Sequence, residues 1–366
     1  MTSQVTEQQV RAALATVVDP DLHKDIVTLN MVRSVTIDGG SVTVLVTLTT
    51  PACPLKDVIE RDIRAVVEKL PGVTGLTVTW DANVSRSRGM TGRQEVAGVR
   101  NVIAVSAAKG GVGKTTVSVN LALALASAGA RVGLLDADVY GPNVPIMLGL
   151  EGEPEMAPSG RMEPMVSNGI KVVSFGSLVR EGQPIIWRGP MLAKALREFL
   201  YEVEWGELDY LLVDLPPGTG DVQLTLAQSV PMSGVVIVTT PQDVAVADVS
   251  RGIAMFQQLS VPVLGVVENM AGFVCGHCGE VTEIFGGGGA AQLAQMYNLP
   301  LLGSIPLNVA VRTGGRNGGP LMASAADSAV AALFVDLAGA VASAASRANF
   351  DAAVMPQMPP ARTAPA

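Results

Sequence analysis

Ser106-Ala-Ala-Lys-Gly-Gly-Val-Gly-Lys-Thr115 is the stretch of this chain richest in chemistry. Three glycines and two lysines crowd into it, with a hydroxyl at its end. Glycines let backbone N–H groups approach an anion closely, because no Cβ intervenes. Consecutive amides over Gly110, Gly111, Val112, Gly113, Lys114, Thr115 and Thr116 can therefore cradle a phosphate. In such a loop Lys114 brings its charge to the β- and γ-phosphates, and Thr115 offers its hydroxyl to Mg²⁺. The usual spacing begins with glycine, and here that place holds Ala108.

Carboxylates come next. Asp136 and Asp138 follow the apolar Gly133-Leu-Leu, and Asp214 ends Tyr210-Leu-Leu-Val ahead of Leu-Pro-Pro-Gly218. A carboxylate just past the C-terminal end of a strand sits where open α/β sheets bind ligands. One of the first pair can hold a metal-bound water and the other polarise the attacking water. Asp138 is taken as the catalytic member, with Lys109 and Lys114. Asp214 is the expected Mg²⁺ holder through water, and the Gly218 N–H can turn toward a γ-phosphate.

The third constellation is Cys275-Gly-His-Cys278, in a Gly-rich stretch without apolar periodicity. Thiolates spaced this way can hold an iron–sulfur cluster or Zn²⁺, or cycle as a redox pair. One chain offers two ligands where a closed shell wants four, and a symmetric dimer doubles two to four. His277 reads as a loop residue. Cys53 stands between prolines at the start of a helix, which would lower its pKa and favour metal binding. An ordinary semi-buried thiol fits that position equally well.

These residues need scaffolds. Around the glycine-rich loop, Asn101-Val-Ile-Ala-Val105 reads as a strand and Thr116-Val-Ser-Val-Asn-Leu-Ala-Leu-Ala-Leu125 as a helix. From residue 99 on, strands and helices alternate. Strands are expected at 101–106, 131–136, 170–175, 208–214, 234–239, 263–268 and 301–306, and helices at 115–128, 190–201, 243–258, 287–297 and 320–347. Continuous apolar runs such as Gly234-Val-Val-Ile-Val238 suit strands buried on both faces of a mostly parallel sheet. Residues 1–81 read as a small α+β domain. It has helices at 4–18 and 54–70 and strands at 31–37, 41–49 and 73–80, with Asp38-Gly39-Gly40 as a hairpin turn. Residues 82–98 read as a linker, 99–348 as the nucleotide domain, and 349–366 as a disordered Pro-rich tail.

The 366 residues are ample for two such domains. The net charge of −8 argues against nucleic acid and anionic membrane surfaces as partners. The first residues show no secretory pattern and no stretch reads as a membrane span, so a cytoplasmic protein is expected. Three cysteines provide no disulfide framework, in keeping with a reducing compartment.

The pattern Lys109-Gly-Gly-x-Gly-Lys114-Thr resembles the deviant phosphate-loop ATPases, the MinD, ParA and nitrogenase-iron-protein superfamily. The resemblance implies that Lys109 crosses a dimer interface to the partner's nucleotide. Asp138-Val-Tyr-Gly-Pro-Asn-Val-Pro145, Ile186-Trp-Arg-Gly-Pro-Met191 and Glu268-Asn-Met-Ala-Gly-Phe-Val-Cys275-Gly-His-Cys278 narrow it to the Mrp/ApbC family of iron–sulfur cluster carrier ATPases, over about residues 99–345. Membership implies ATP and Mg²⁺, a homodimer holding a cluster, 4Fe–4S by expectation, between Cys275 and Cys278 of both chains, and apo iron–sulfur proteins and assembly machinery as partners. It also implies that Asn269 contacts the adenine and that the Ile305-Pro306 turn flanks it. Ala108 and Ala271 depart from the family pattern without removing a phosphate or metal ligand. The first domain, with Asp19-Pro-Asp-Leu22, Asp25-Ile-Val-Thr-Leu-Asn30 and Thr49-Thr-Pro-Ala-Cys53-Pro, resembles the SufT/PaaD-like domain linked to cluster assembly. A MinD- or ParA-like positioning switch, or an ATPase dimer closed by structural zinc, are the competing readings. The chain has no lysine after Lys194 and so no basic amphipathic C-terminal helix for a membrane, which counts against the switch.

Overall fold

The computed structural model describes residues 5–87, 93–139, 141–178, 189–275, 277–316 and 319–354. The first domain contains α1 (Glu7–Leu14), short strands β1 (Val18–Asp19) and β2 (Lys24–Asp25), then β3 (Val32–Asp38), β4 (Ser41–Leu48), α2 (Lys56–Val67) and β5 (Gly75–Ala82). Thr6 and Gln9 start α1 with a reciprocal capping box. On β4, Val42, Val44 and Val46 alternate onto one face and are fully buried against Ile59, Ile63 and Val67 of α2. β3 pairs antiparallel with β4 across the turn at Gly39, and β5 lies parallel to β4.

The second domain contains β6 (Val102–Ser106), α3 (Lys114–Ser127), β7 (Val132–Asp136), α4 (Val144–Leu148), β8 (Met165–Ser167), β9 (Ile170–Ser174), α5 (Gly189–Tyr201), β10 (Tyr210–Asp214), α6 (Asp221–Ser229), β11 (Gly234–Thr239), α7 (Asp243–Gln258), β12 (Val263–Val274), β13 (Val281–Thr282), α8 (Gly289–Tyr297), β14 (Leu301–Leu307), α9 (Val309–Arg316), α10 (Leu321–Ser324) and α11 (Ala329–Val354). A nine-stranded sheet runs β8-β9-β7-β10-β6-β11-β12, with β12 also pairing to β13 and β14. Only β8 and β13 run antiparallel to their neighbours. Strands β6, β7 and β10 are buried at every residue, because helices cover both faces of the sheet. α3 and α11 pack on one side, and α5, α6 and α7 on the other. α11 is long and apolar enough to cross a membrane, but 61% of its apolar window is buried inside this fold. It contacts α3, β12 and β14, as a core helix does.

Two expectations about organisation need correction. The described part of 82–98 is not a loose linker. Val84 and Val96 are buried, Asn101 donates to the Ser85 carbonyl at 2.9 Å, and Arg93 donates to the Leu259 carbonyl at 2.8 Å. Isolated apolar anchors give no periodicity, so this packing leaves no sequence pattern. Residues 88–92 lie outside the described residues. At the far end, residues 349–354 continue α11 instead of beginning a disordered tail. Buried Asn349 donates to Asn101 Oδ1 at 2.8 Å, which holds the last turns against the sheet. The expected tail from 355 on lies outside the described residues.

The two domains touch. Asp21 accepts hydrogen bonds from Ser343 and Arg347 of α11. Tyr210 donates to Thr50 Oγ1 at 3.0 Å, and the Lys24 ammonium sits 4.9 Å from the centre of the Phe350 ring. α11 comes so close that a Cβ on Gly339 would lie 3.1 Å from the Ala52 carbonyl oxygen.

Candidate functional site

β6 delivers the chain into the phosphate loop, and α3 carries it away. Gly113 caps α3 with φ +80°, a left-handed conformation that glycine adopts without strain. A side chain there would also collide with Asn269, whose Nδ2 would stand 2.2 Å from the added Cβ. Asn269 donates to the Val112 carbonyl at 2.8 Å. The residue assigned to the adenine by resemblance thus holds the phosphate loop itself in this structure.

β10 lies between β6 and β7 in the sheet, which brings the acidic ends of β7 and β10 beside the phosphate loop that follows β6. Lys114, almost fully buried, places its ammonium 2.8 Å from Asp214 Oδ2 and 3.6 Å from Asp138 Oδ2. Thr115 donates to Asp214 Oδ2 at 2.7 Å, and Ser118 donates to Asp214 Oδ1 at 2.6 Å. A buried charge is tolerated when paired and hydrogen-bonded, and Asp214 meets both conditions. Asp136 accepts from Ser174 Oγ at 2.9 Å, from the Asp138 N–H at 3.1 Å and from the Val144 N–H at 3.3 Å. Burial, and then the Asp214 charge, push its carboxyl from 3.8 up to about 7. Asp138 is raised too, mainly by burial. Its Oδ1 is buried and has no hydrogen-bond partner among the described residues. Asp138 lines the cleft over the phosphate loop, and a buried acceptor of this kind suits a water.

The cleft over the loop has a volume of about 440 Å³. Residues 109–116 and Asp138 form its floor, with Ile146 and Met147 of α4 and Val311 and Arg312 of α9 along its sides. Thr116, Val112, Gly110 and Gly111 all reach it. Pro306 lies on β14, paired to β12 beyond Asn269. The expected phosphate donor Gly218 gives its N–H to the Ala107 carbonyl at 2.9 Å, so it ties the segment after β10 to the phosphate loop instead of opening into the cleft. Lys109 points to α7, where its ammonium meets Asp248 Oδ2 at 2.7 Å.

The residues missed in sequence differ in how readable they were. Ser118 lies four residues past Lys114, one helical turn along α3, and that spacing could have found it. Ser174, Asp248 and Arg312 arrive on strands and helices whose placement depends on the whole sheet order.

Away from the cleft, β12 runs on past Asn269 to Val274 and turns back through β13, so the cysteine pair forms a hairpin tip. The Gly279 N–H donates to the Cys275 carbonyl and the Cys275 N–H to the Glu280 carbonyl, each at 2.9 Å. The backbone N–H groups of Cys278 and His277, followed by the Cys278 thiol, hold the Cys275 thiol below its ordinary value. Amide donors aimed at a sulfur stabilise the thiolate, the form that binds metal. Val281 and Ile284 beside the tip are 63% and 50% exposed. Gly276, and residues 186–188 of the Ile186–Met191 motif, lie outside the described residues.

Cys53 goes the other way. Its position at a helix start predicts a lowered thiol, yet the thiol is pushed up to about 11. Burial dominates, Asp19 and Asp21 add to it, and the Leu55 and Lys56 amides do not compensate. The local dipole loses to desolvation.

The geometry just described has close relatives. A family model described as NUBPL iron-transfer P-loop NTPase matches residues 98–342. One described as iron–sulfur cluster assembly protein matches 7–80. An iron–sulfur cluster carrier protein of Synechocystis sp. is 50% identical over 349 residues, 94% of this chain and 99% of its own length. The Escherichia coli protein of the same name is 45% identical over 78% of this chain and 77% of its own. A nucleotide-binding protein from Archaeoglobus fulgidus, solved in complex with ADP, is 43% identical and superposes with a TM-score of 0.55, covering 61% of this chain and 88% of that one. The Pyrococcus furiosus cell-division ATPase MinD, at 22% identity and a TM-score of 0.50, shares the fold over 66% of this chain and 98% of its own. With a mostly parallel α/β sheet, a lysine-bearing phosphate loop and the family model matched over residues 98–342, this chain belongs to the iron-transfer P-loop NTPase family.

Proposed function

We infer that the chain is an ATP hydrolase that carries an iron–sulfur cluster between two copies of itself and passes it to apoproteins. The hairpin tip supports this reading best. It presents two thiols in an exposed turn, with amide donors aimed at Cys275 and apolar Val281 and Ile284 alongside. Among the described residues no group of three or more His, Cys, Asp or Glu side chains could close a metal shell within one chain. A four-ligand cluster, 4Fe–4S in this reading, then draws on Cys275 and Cys278 of both copies across a twofold axis. The cluster is cargo, so an exposed, two-ligand grip per chain suits release.

In the cleft, the loop amides and Lys114 hold the ATP phosphates. Thr115 Oγ1 and Asp214 form a 2.7 Å pair that suits Mg²⁺, which would neutralise charge on the β- and γ-oxygens when bound. Asp138 orients the attacking water, and its Oδ1, without a partner among the described residues, is the acceptor for it. Lys109 of one copy completes the phosphate site of the other.

The same turn would also accept zinc. Anaerobic reconstitution with iron and sulfide, followed by metal counting and size measurement, decides between them. About four irons per dimer, lost in Cys275→Ala/Cys278→Ala, are expected for the carrier. Stoichiometric zinc without iron, or a full cluster on a strict monomer, would overturn it.

A further inference from the structure

Asn269, tied to the phosphate loop, and the cysteine hairpin lie on one continuous strand, and between them its pairing is broken at one place. From Val267 to Asn269, β12 pairs with β14 in register, Asn269 facing Ile305. Pairing resumes only at Phe273, which faces Leu307. Met270, Ala271 and Gly272 therefore stand against Pro306 alone. Proline has no N–H to give to the ladder, so the bulge sits where the partner strand cannot bond. Met270 has φ +59°, a left-handed conformation that a long side chain rarely adopts. Such conformations persist only where the surroundings enforce them.

The surroundings here are the phosphate loop. Asn269, next in chain, is tied to the Val112 carbonyl at 2.8 Å. Met270 Cε lies 3.8 Å from the point that a Cβ on Gly113 would occupy. The loop that receives the phosphates thus presses on both residues at the start of the bulge. Beyond it, Phe273 and Val274 pair with Thr282 and Val281, and the next residue is Cys275.

We propose that Met270 is a positioning residue that converts the state of the phosphate loop into the tilt of the Cys275–Cys278 hairpin. Its side chain senses the loop at Gly113, and its left-handed backbone is the hinge about which β12 turns. When nucleotide shifts the Val112–Gly113 backbone, the hinge moves the hairpin tip relative to the sheet. The distance between the thiols of two copies changes, and with it their grip on the cargo. The proposal rests on the reading of Cys275 and Cys278 as cargo ligands, but the motion itself needs no cluster.

The test uses the full-length, metal-free chain. Alkylation rates of Cys275 and Cys278 are followed by mass spectrometry with and without ATP and Mg²⁺, and sedimentation runs under the same conditions. Wild-type rates should differ by about fivefold or more between the two states. In Met270→Gly, which relaxes the hinge and removes the sensing side chain, the ratio should fall to near one while ATP affinity and self-association stay as in wild type. Met270→Asn, which tolerates the left-handed backbone but lacks the reach, should do the same. Hydrogen exchange at residues 273–274 and 281–282 of the wild type should change on adding ATP. Thiol rates indifferent to ATP, unchanged exchange, or a full ratio in the Met270 variants would each overturn the hinge. A wild type that shows the ratio but binds no iron would sink the carrier reading and leave the hinge standing.

Discussion

Lys109 and Asp248 form an ion pair of 2.7 Å within a single chain. Asp248 also accepts from Arg251 at 2.9 Å, so α7 holds the lysine by a carboxylate that is itself supported. The Lys109 interaction, followed by that of Arg251, keeps the Asp248 carboxyl below its usual range. In the proposed shared site, Lys109 must first leave this partner to reach a neighbour's phosphates.

Lys109→Ala should therefore fold normally and lose about a hundredfold or more in kcat, the scale of removing one preorganised charge from a transition state. Asp248→Asn should lower the protein concentration needed for half-maximal turnover, because the lysine loses this carboxylate. Wild-type kcat in Lys109→Ala, measured by phosphate release, would rule out a shared site.

Lys114→Ala should lose ATP binding, read by calorimetry. It should also lower stability by about 3–5 kcal/mol, since the buried Asp214 carboxylate loses its ammonium partner. Full stability with lost binding would mean that Thr115 and Ser118 alone satisfy Asp214.

The raised Asp136 carboxyl gives a pH signature. The folded state holds the proton up to about 7, while the unfolded chain releases it near 3.8. Between those values the folded state binds more protons, so this group's contribution to stability falls as pH rises and levels off above 7. Denaturant melts of wild type and Asp136→Asn from pH 4 to 8 should show a steeper decline for wild type. Parallel curves would mean that Asp136 ionises normally.

The thiols should separate kinetically. At pH 8, iodoacetamide should modify Cys275 readily, its thiolate being favoured by amides, and Cys53 hardly at all, its thiol being raised to about 11. Peptide mapping gives both rates in one experiment. Equal rates would contradict the burial of Cys53.

Asp21→Ala should cost about 1 kcal/mol, as partly exposed pairs do. Its main effect should be to loosen the first domain from α11, where Asp21 meets Ser343 and Arg347. Cys53 alkylation should then accelerate while ATP turnover stays near wild type. An unchanged Cys53 rate would show that Tyr210 to Thr50 and the Ala52–Gly339 contact suffice to hold the junction.

What could be read in advance was local. Strand, loop and helix around Lys114, and the aspartates ending β7 and β10, are each specified by a dozen residues whose period and punctuation agree. What could not be read was set by tertiary placement. Asp248 reaches Lys109 only because β11 sits beside β6 and brings α7 to the loop. Cys53 has the helix terminus that lowers a thiol, and burial, with Asp19 and Asp21 nearby, reverses the outcome. Val84 and Val96 anchor a stretch with no periodicity, because single buried side chains leave none. The bulge at Met270 lies past residue 268, where the strand was expected to end, and its cause is Pro306 on another strand.

The contact between Asp21 and Arg347 spans 326 residues. A ribosome making roughly 5–20 residues per second needs about 15–65 s to cover that interval. The first domain, with a core of its own against which Cys53 packs, is complete in sequence early in that time, but the α11 face that meets Asp21, Ala52 and Pro54 does not yet exist. Until α11 is made, each new chain carries that edge of the first domain uncovered. Order of synthesis thus leaves the junction between the two domains open first and lets α11 close it.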